Sequence, residues 1–414
     1  MKDIAEKSLF DIPGGWKTLL WILVLLGIGM FIAGLMTGGE ESVVRTWQAF
    51  LINTVFWGGI AHAGVIFAVI WQITDAKWGR AFKRLAEACA GFLPISFLMF
   101  MVVFFGSHVL YEWTHTPFLH HGEAVKQGWL NLPFFISRNV FWLLLIYGIS
   151  YWFIKTSIKP DIALARRLIG SDWGGKFADW VLEDYGEHET EVIRLEKLSR
   201  KIAPVLALIY AIGGSFLAWD FVMTLDQTWF STLFGVFVMI GNMHAFLGLM
   251  LVVAVTVRKK FGIEEYISIN RLHDLAKMTF AFSLLWTYMG YSQYIVIWYA
   301  DLPEETPYLI IRSMNAPWNT LFLVIILWVF VSVFIGLLPR TLCRIPNYIR
   351  LMGIWVMLGQ LLSVYIMVVP SLQHDGHYHI FMGLHELLIT LGFVGAFFLC
   401  YLAFLGKLPI LPIS

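Results

Sequence analysis

The chain's 414 residues are 59% hydrophobic and 14% charged, with a mean hydropathy of +0.73, which is too apolar for a soluble domain of this size. A net charge of +1 carries no surplus that would attract nucleic acid, and no such partner is expected. Cys89, Cys343 and Cys400 lie too far apart for a C-x-x-C-H haem attachment, an iron–sulfur run or a disulfide framework, so no metal site and no covalently bound cofactor is expected in this chain.

Ten apolar runs follow, at 17–37, 47–73, 88–110, 132–155, 202–222, 231–257, 273–299, 317–338, 349–369 and 381–405. Each is long enough for a helix to cross a hydrocarbon core of about 30 Å. The runs are continuous, whereas barrel strands alternate in pieces of about ten residues, so they predict an all-α polytopic membrane protein. Span 1 is as long as the others and lacks a clear small-residue cleavage site, so it reads as a retained helix. Of the 29 lysines and arginines, only Arg45, Lys126, Arg138 and Arg312 fall in or beside the outer loops if the N-terminus is inside. That asymmetry predicts both termini in the cytoplasm.

Span 2 carries Asn53 and then Gly59-Ile60-Ala61-His62-Ala63. Span 6 carries Gly241-Asn242-Met243-His244-Ala245. Spans 3 and 7 open on Arg84-Leu85-Ala86-Glu87 and Arg271-Leu272-His273-Asp274, and spans 4 and 8 on Asn131-Leu132-Pro133 and Asn315-Ala316-Pro317. From His62 to Asn131 is 69 residues, and from His244 to Asn315 is 71. Three strings in one order at near-equal spacing predict a parallel internal repeat. The domains expected are 1–46 (tail and peripheral span 1), 47–222 and 231–369 (two four-helix bundles), and 381–414 (peripheral span 10 and tail). In the longest inner loop, residues 187–201 mix both charges with Val192, Ile193, Leu195 and Leu198 at helical spacing, which predicts an interfacial helix leading into span 5.

His62 and His244 lie near the middle of their spans. They read as satisfied by neighbouring helices, as a haem pair, or as proton or quinol ligands. Asp220 closes span 5 among Trp219, Phe221, Val222 and Met223. It is either an interfacial carboxylate solvated by water, or a poorly solvated one able to accept a proton. Glu87 and Asp274 sit in first turns, where the helix dipole favours an acid, and they could also open a proton path. Lys277, three residues beyond Asp274, is a possible ion-pair partner. Ser283, Tyr288, Tyr291 and Gln293 continue polar groups along span 7, and Ser96 and His108 along span 3. The outer loops hold His115, His120, His121, His374, His377 and His379, with His385 and Glu386 in span 10. The run His374-Asp375-Gly376-His377-Tyr378-His379 has the composition of a loop that usually holds no metal.

Ala61-His62-Ala63-Gly64 followed by Arg84-Leu85-Ala86-Glu87-Ala88 resembles the NrfD/PsrC-like family of quinone-interacting membrane proteins. Trp219-Asp220-Phe221, Trp229-Phe230-Ser231-Thr232, His273-Asp274-Leu275-Ala276-Lys277 and Ile297-Trp298-Tyr299-Ala300-Asp301-Leu302-Pro303-Glu304-Glu305 resemble more closely the shorter, ActF-type integral subunits of alternative complex III. The resemblance implies two four-helix bundles flanked by two peripheral helices, in the cytoplasmic membrane of a bacterium. It implies a quinol:cytochrome c oxidoreductase of a respiratory or photosynthetic chain. The partners would be a paralogous, longer ActC-type membrane subunit, with iron–sulfur and cytochrome c subunits on the outer face holding the clusters and c-type haems. Quinol or menaquinol would be the ligand. The residues carried over are His62 and Asp220 at the quinol-type site, with Asn53 and His108 as further polar candidates read from the spans. Glu87, His244 and Asp274 carry over to an inward proton path, with Lys277, Ser283, Tyr288 and Tyr291 as its continuation. A structural anchor for redox subunits and a free-standing proton-coupled transporter are the other classes the same features suit.

Overall fold

The structure, a computed structural model, describes residues 10–116, 119–120, 123–124, 126–373 and 379–413. Ten long helices run through it: α1 Gly14–Thr37, α2 Gly39–Thr74, α3 Lys77–Phe105, α4 Leu132–Ile169, α5 His188–Phe221, α6 Phe234–Phe261, α7 Ile269–Ala300, α8 Trp318–Leu337, α9 Pro346–Val368 and α10 Leu384–Leu405. Among the described residues nine are long and apolar enough to cross a membrane. The exception is α7, a 32-residue helix whose later half is interrupted by Tyr288, Tyr291, Ser292, Gln293 and Tyr294. The protein is therefore an all-α, multi-pass membrane protein. A short antiparallel pairing of Leu119–His120 with Glu123–Ala124 is its only sheet among the described residues.

The helices form because their apolar runs carry no internal breaker that the fold cannot absorb. Asn131 starts α4 by accepting the Phe134 amide on its side chain at 3.0 Å, and Ser268 starts α7 by accepting the Arg271 amide. Gly262 ends α6 in the left-handed conformation, at φ 61°, with its N–H on the Arg258 carbonyl. The interfacial helix predicted over 187–201 is not a separate element. No breaker divides it from span 5, and α5 runs unbroken from His188 through Pro204 to Phe221.

Two helices form the axis. The apolar window of α2 is 94% buried and that of α6 is 72% buried, against 17% for α1. They pack against each other. In the first half α2 meets α3 and α5, and α4 packs along α5. In the second half α6 meets α7 and α9, and α8 meets α7 and α9. Outside these, α1 and α10 pack along each other, and α10 also lies against α2 and α3. The tail after α10 turns back under the fold, burying Leu408, Ile410, Leu411 and Ile413. Below, the basic end is the side where Phe10 and Ile413 lie, and the far end is the opposite side.

Where α6 crosses α9, backbone meets backbone. A Cβ on Gly353 would stand 2.5 Å from the Gly248 carbonyl oxygen. Small residues let helices approach this closely in a solvent that gives no hydrophobic drive between them. Gly353→Ala should therefore destabilise the chain by about 1–3 kcal/mol, despite the gain of about 1 kcal/mol in helix propensity. Gly29→Ala, where the added Cβ meets open space, should cause no loss. Thermal unfolding of the two full-length variants in detergent tests this.

Candidate functional site

The first half carries a line of buried polar groups along one face of α4: Arg138, Asn139, Tyr147, Ser150, Ser157 and Asp161. Residues at helical i, i+3 and i+4 spacing share a face, so the line follows from the periodicity of Asn139, Leu143, Tyr147, Ser150, Ile154, Ser157 and Asp161. From Asn139 to Asp161 the rise is about 33 Å at about 1.5 Å per residue.

At the basic end the line closes on an ionic cluster. Arg84 of α3 is 1% exposed, and Glu87 and Asp161 are 0% exposed. The guanidinium donates from Nε and Nη2 to Asp161 at 2.8 and 2.5 Å, and from Nη1 to Glu87. It also donates to the Ser157 hydroxyl at 3.2 Å and to the Ser157 carbonyl at 2.9 Å, which gives partners to all five of its N–H groups. Ser157 in turn donates to Glu87 at 2.6 Å, and Lys83 lies 4.0 Å from the same carboxylate. The backbone amide of Ile413, in the docked tail, donates to Asp161 at 3.2 Å. Sequence reasoning placed Glu87 alone at a helix mouth. Its partners Arg84, Ser157 and Asp161 were missed because Ser157 and Asp161 come from another helix.

In the middle, His62 of α2 faces the first half. Its ring meets Tyr147 at 4.8 Å and Tyr210 of α5 at 5.9 Å between centroids. The Tyr147 hydroxyl bonds Ser96 of α3 at 3.0 Å. Beside His62 is a cavity of about 40 Å³, bordered by Gly59, Tyr210 and Asn242, and His62 Nε2 has no protein partner among the described residues. A space of that size holds water, since one molecule needs roughly 10–15 Å³. It does not hold a quinol ring, for which ligand pockets of about 300 Å³ or more are usual. Across the axis His244 faces the second half, and the Gln360 amide donates to its Nδ1 at 2.8 Å. The imidazole proton then sits on Nε2, which is also without a protein partner. The two histidines stand at like depth, bracketed by the Gly59–Asn242 contact and the Phe67–Phe246 ring pair at 5.2 Å. Their rings turn to opposite sides of the α2–α6 axis, so no haem fits between them.

At the far end Asp220 is fully buried, and Arg138 clamps it. Nε donates to Oδ2 at 2.6 Å, Nη2 to Oδ1 at 2.7 Å, and Asn139 adds a bond to Oδ2 at 2.8 Å. Trp129 shields the guanidinium from outside at 4.1 Å and accepts from Nη1 through its carbonyl at 2.7 Å. Asp220 is thus not the water-solvated interfacial carboxylate of the first reading but the buried, poorly solvated one, and a bidentate guanidinium stands where water would be. The clue available in the sequence was Arg138 itself, an ionisable residue inside a membrane-length run, which calls for a partner at the same depth.

The remaining predicted residues scatter. Asn53 lies nine positions before His62, hence on the opposite face of α2, and bonds Thr390 of α10 at 3.0 Å. His108 is exposed at the far end beside His115, at 5.1 Å between rings, and takes no part in the His62 surroundings. Asp274 and Lys277 form a solvent-facing ion pair of 2.7 Å, with side chains 39% and 59% exposed. Ser283 donates to the Val329 carbonyl at 2.7 Å, while Tyr288 and Tyr291 stand on the exposed face of α7. The predicted continuation from Asp274 to His244 is thus not assembled in the second half. Among the described residues no group of His, Cys, Asp and Glu is arranged to hold a metal ion. His121, His374, Asp375, Gly376, His377 and Tyr378 lie outside the described residues.

Arg138→Met strands a buried carboxylate and should cost about 3–5 kcal/mol. Arg138→Met with Asp220→Leu removes both charges and should recover most of that loss. Melting of the single and double variants of the full chain, with Asp220→Leu to complete the cycle, measures it.

No family model matches the chain, and no curated protein matches it.

Proposed function

We propose that this multi-pass membrane protein is the proton-conducting membrane subunit of a quinol-oxidising complex, an ActF-type relative within the NrfD/PsrC-like family, and that its proton route runs through the first half. The observation that carries the reading is the buried polar line along α4. It is about as long as the hydrocarbon core is thick, and it is joined at mid-depth by an orphan imidazole nitrogen and a water-sized cavity. Protons cross hydrocarbon only along titratable or hydroxyl groups that water can bridge. Glu87 and Ser157 supply such groups at the basic end, Ser96, Tyr147 and His62 in the middle, and Asp220 at the far end.

In this reading the basic end faces the cytoplasm of a bacterium. The acceptor side, with iron–sulfur and c-haem subunits, lies at the far end, and a paralogous membrane subunit is a further partner within the bilayer. Quinol or menaquinol delivers its electrons there, and this chain carries protons. A structural anchor is the second reading. What favours it is that Arg84 has every N–H satisfied and holds two carboxylates in place, as a purely mechanical pin would.

In proteoliposomes of the native complex, Tyr147→Phe removes the hydroxyl between Ser96 and His62. It should lower proton movement per electron by about tenfold, the effect of a barrier raised by roughly 1.4 kcal/mol, while electron transfer continues. Tyr288→Phe, on the exposed face of α7, should leave both unchanged. Full proton movement in Tyr147→Phe would remove the route and leave the anchor.

A further inference from the structure

A cavity of about 780 Å³ lies in the far-end part of the second half, between α7, α8 and the short helix Thr306–Ser313 that joins them. Deeper down the two long helices close together, where Ser283 donates to the Val329 carbonyl and Phe280 meets Phe334 at 5.2 Å. The exposed residues of the lining are Tyr291 on α7 and Thr320 and Leu323 on α8, so the cavity opens sideways between those helices. From Asn319 to Phe330 the lining descends about 16 Å along α8 at about 1.5 Å per residue. That is the depth of one leaflet in a hydrocarbon core of about 30 Å. A slot of this shape admits an acyl chain from the surrounding lipid.

Among the described residues the slot is lined by a single charged side chain, and it is a cation. Arg312 is 4% exposed. Nε donates to the Ile366 carbonyl at 3.0 Å and Nη1 to the Tyr308 carbonyl at 2.9 Å, while Nη2 donates to the Met367 carbonyl at 3.1 Å and to Ser371 at 2.6 Å. These bonds all end on neutral oxygens, and Nη1 keeps one N–H unspent. Arg84 and Arg138, which are as deeply buried, each hold a carboxylate. Asp226 acts on Arg312 only from further off, and its Oδ1 accepts from Thr228 and from the Trp229 amide. The carbonyls solvate the guanidinium but leave its charge unbalanced, and a buried charge is costly unless it is paired. Trp229, 3% exposed, borders the same slot with its ring stacked on Tyr308 at 3.7 Å, and its Nε1 has no partner among the described residues. A buried donor left open costs about 1–3 kcal/mol.

We infer that this slot binds an anionic phospholipid, its phosphate at Arg312 and one acyl chain between α7 and α8. The unspent N–H of Nη1 donates to the phosphate, and the Trp229 indole donates to a further headgroup or ester oxygen. The lipid thus supplies the counter-charge that the chain provides for Arg84 and Arg138 but not for Arg312. Basic pockets between membrane helices take anionic headgroups in this way. Net charge sets the preference. A choline headgroup would bring a second cation to a wall whose single charge is already positive, whereas phosphatidylglycerol brings only the anion.

Native mass spectrometry of the full chain tests this, after titration in detergent with equal amounts of dioleoylphosphatidylglycerol and dioleoylphosphatidylcholine. The unaltered chain should retain phosphatidylglycerol about tenfold better, as expected for one charge-assisted hydrogen bond. Leu323→Trp fills the opening from a position 55% exposed and touches no bond of Arg312, so it should remove one bound phosphatidylglycerol per chain. Arg312→Gln should still take a lipid but lose the preference. Equal retention of phosphatidylglycerol by Leu323→Trp and the unaltered chain would overturn the inference, whether or not Arg312→Gln folds. So would an unaltered chain that holds both lipids alike. Inorganic phosphate should not displace the lipid; displacement would assign Arg312 to a soluble anion and overturn the lipid.

Discussion

A charge in hydrocarbon needs its counter-charge beside it, and that requirement organises the first half of this protein. Arg84 and Arg138 stand near the two ends of one helical group, and each is enclosed by side chains from a second helix. Removing one partner of such a pair strands the other at a cost of about 3–5 kcal/mol, whereas the intact pair contributes little net stability over an apolar replacement. The pairs therefore set relative position. Arg84 holds α3 to α4, and Arg138 holds α4 to α5. Between these fixed ends α4 presents an uninterrupted buried face on which smaller polar groups can be placed at chosen depths.

The similar strings of the two halves have different surroundings. Arg84 and Glu87 are sealed in the core, whereas Arg271 reaches the Tyr266 carbonyl and Asp274 pairs with Lys277 in the open. His62 borders a cavity, but His244 is tied to Gln360. At the far end of the second half, Arg312 has no carboxylate in its immediate shell among the described residues. It donates instead to the Ile366 and Met367 carbonyls and to Ser371, at the carbonyl-bearing end of α9. The first half is polar along its length, and the second is polar only in patches.

The docked tail adds a link from the basic end into this system. Burying Leu408, Ile410 and Leu411 brings the Ile413 amide onto Asp161, to which it donates at 3.2 Å. The peripheral helices thus do more than flank the fold. α10 carries Thr390 and Glu386 to α2 at the far end, and the chain beyond it reaches the ionic cluster at the basic end.

The sequence by itself determined the number of long helices, their approximate limits and the depth of His62 and His244. The physical reason is local: a run of about 20 apolar residues satisfies its own backbone only as a helix. Which side chains meet was decided by the tertiary structure. Arg84 and Asp161 are 77 residues apart in the chain, and Arg138 and Asp220 are 82 apart, so no local period joins them. Asp220 looked stranded because the residues next to it in sequence are apolar, and its solvation arrives from another helix. Asp274, Tyr288 and Tyr291 looked connected because they share a helix, but rotation about the α7 axis places them on its exposed side. Depth along a membrane helix is written in its sequence. The direction in which a side chain faces is set by the packing of its neighbours.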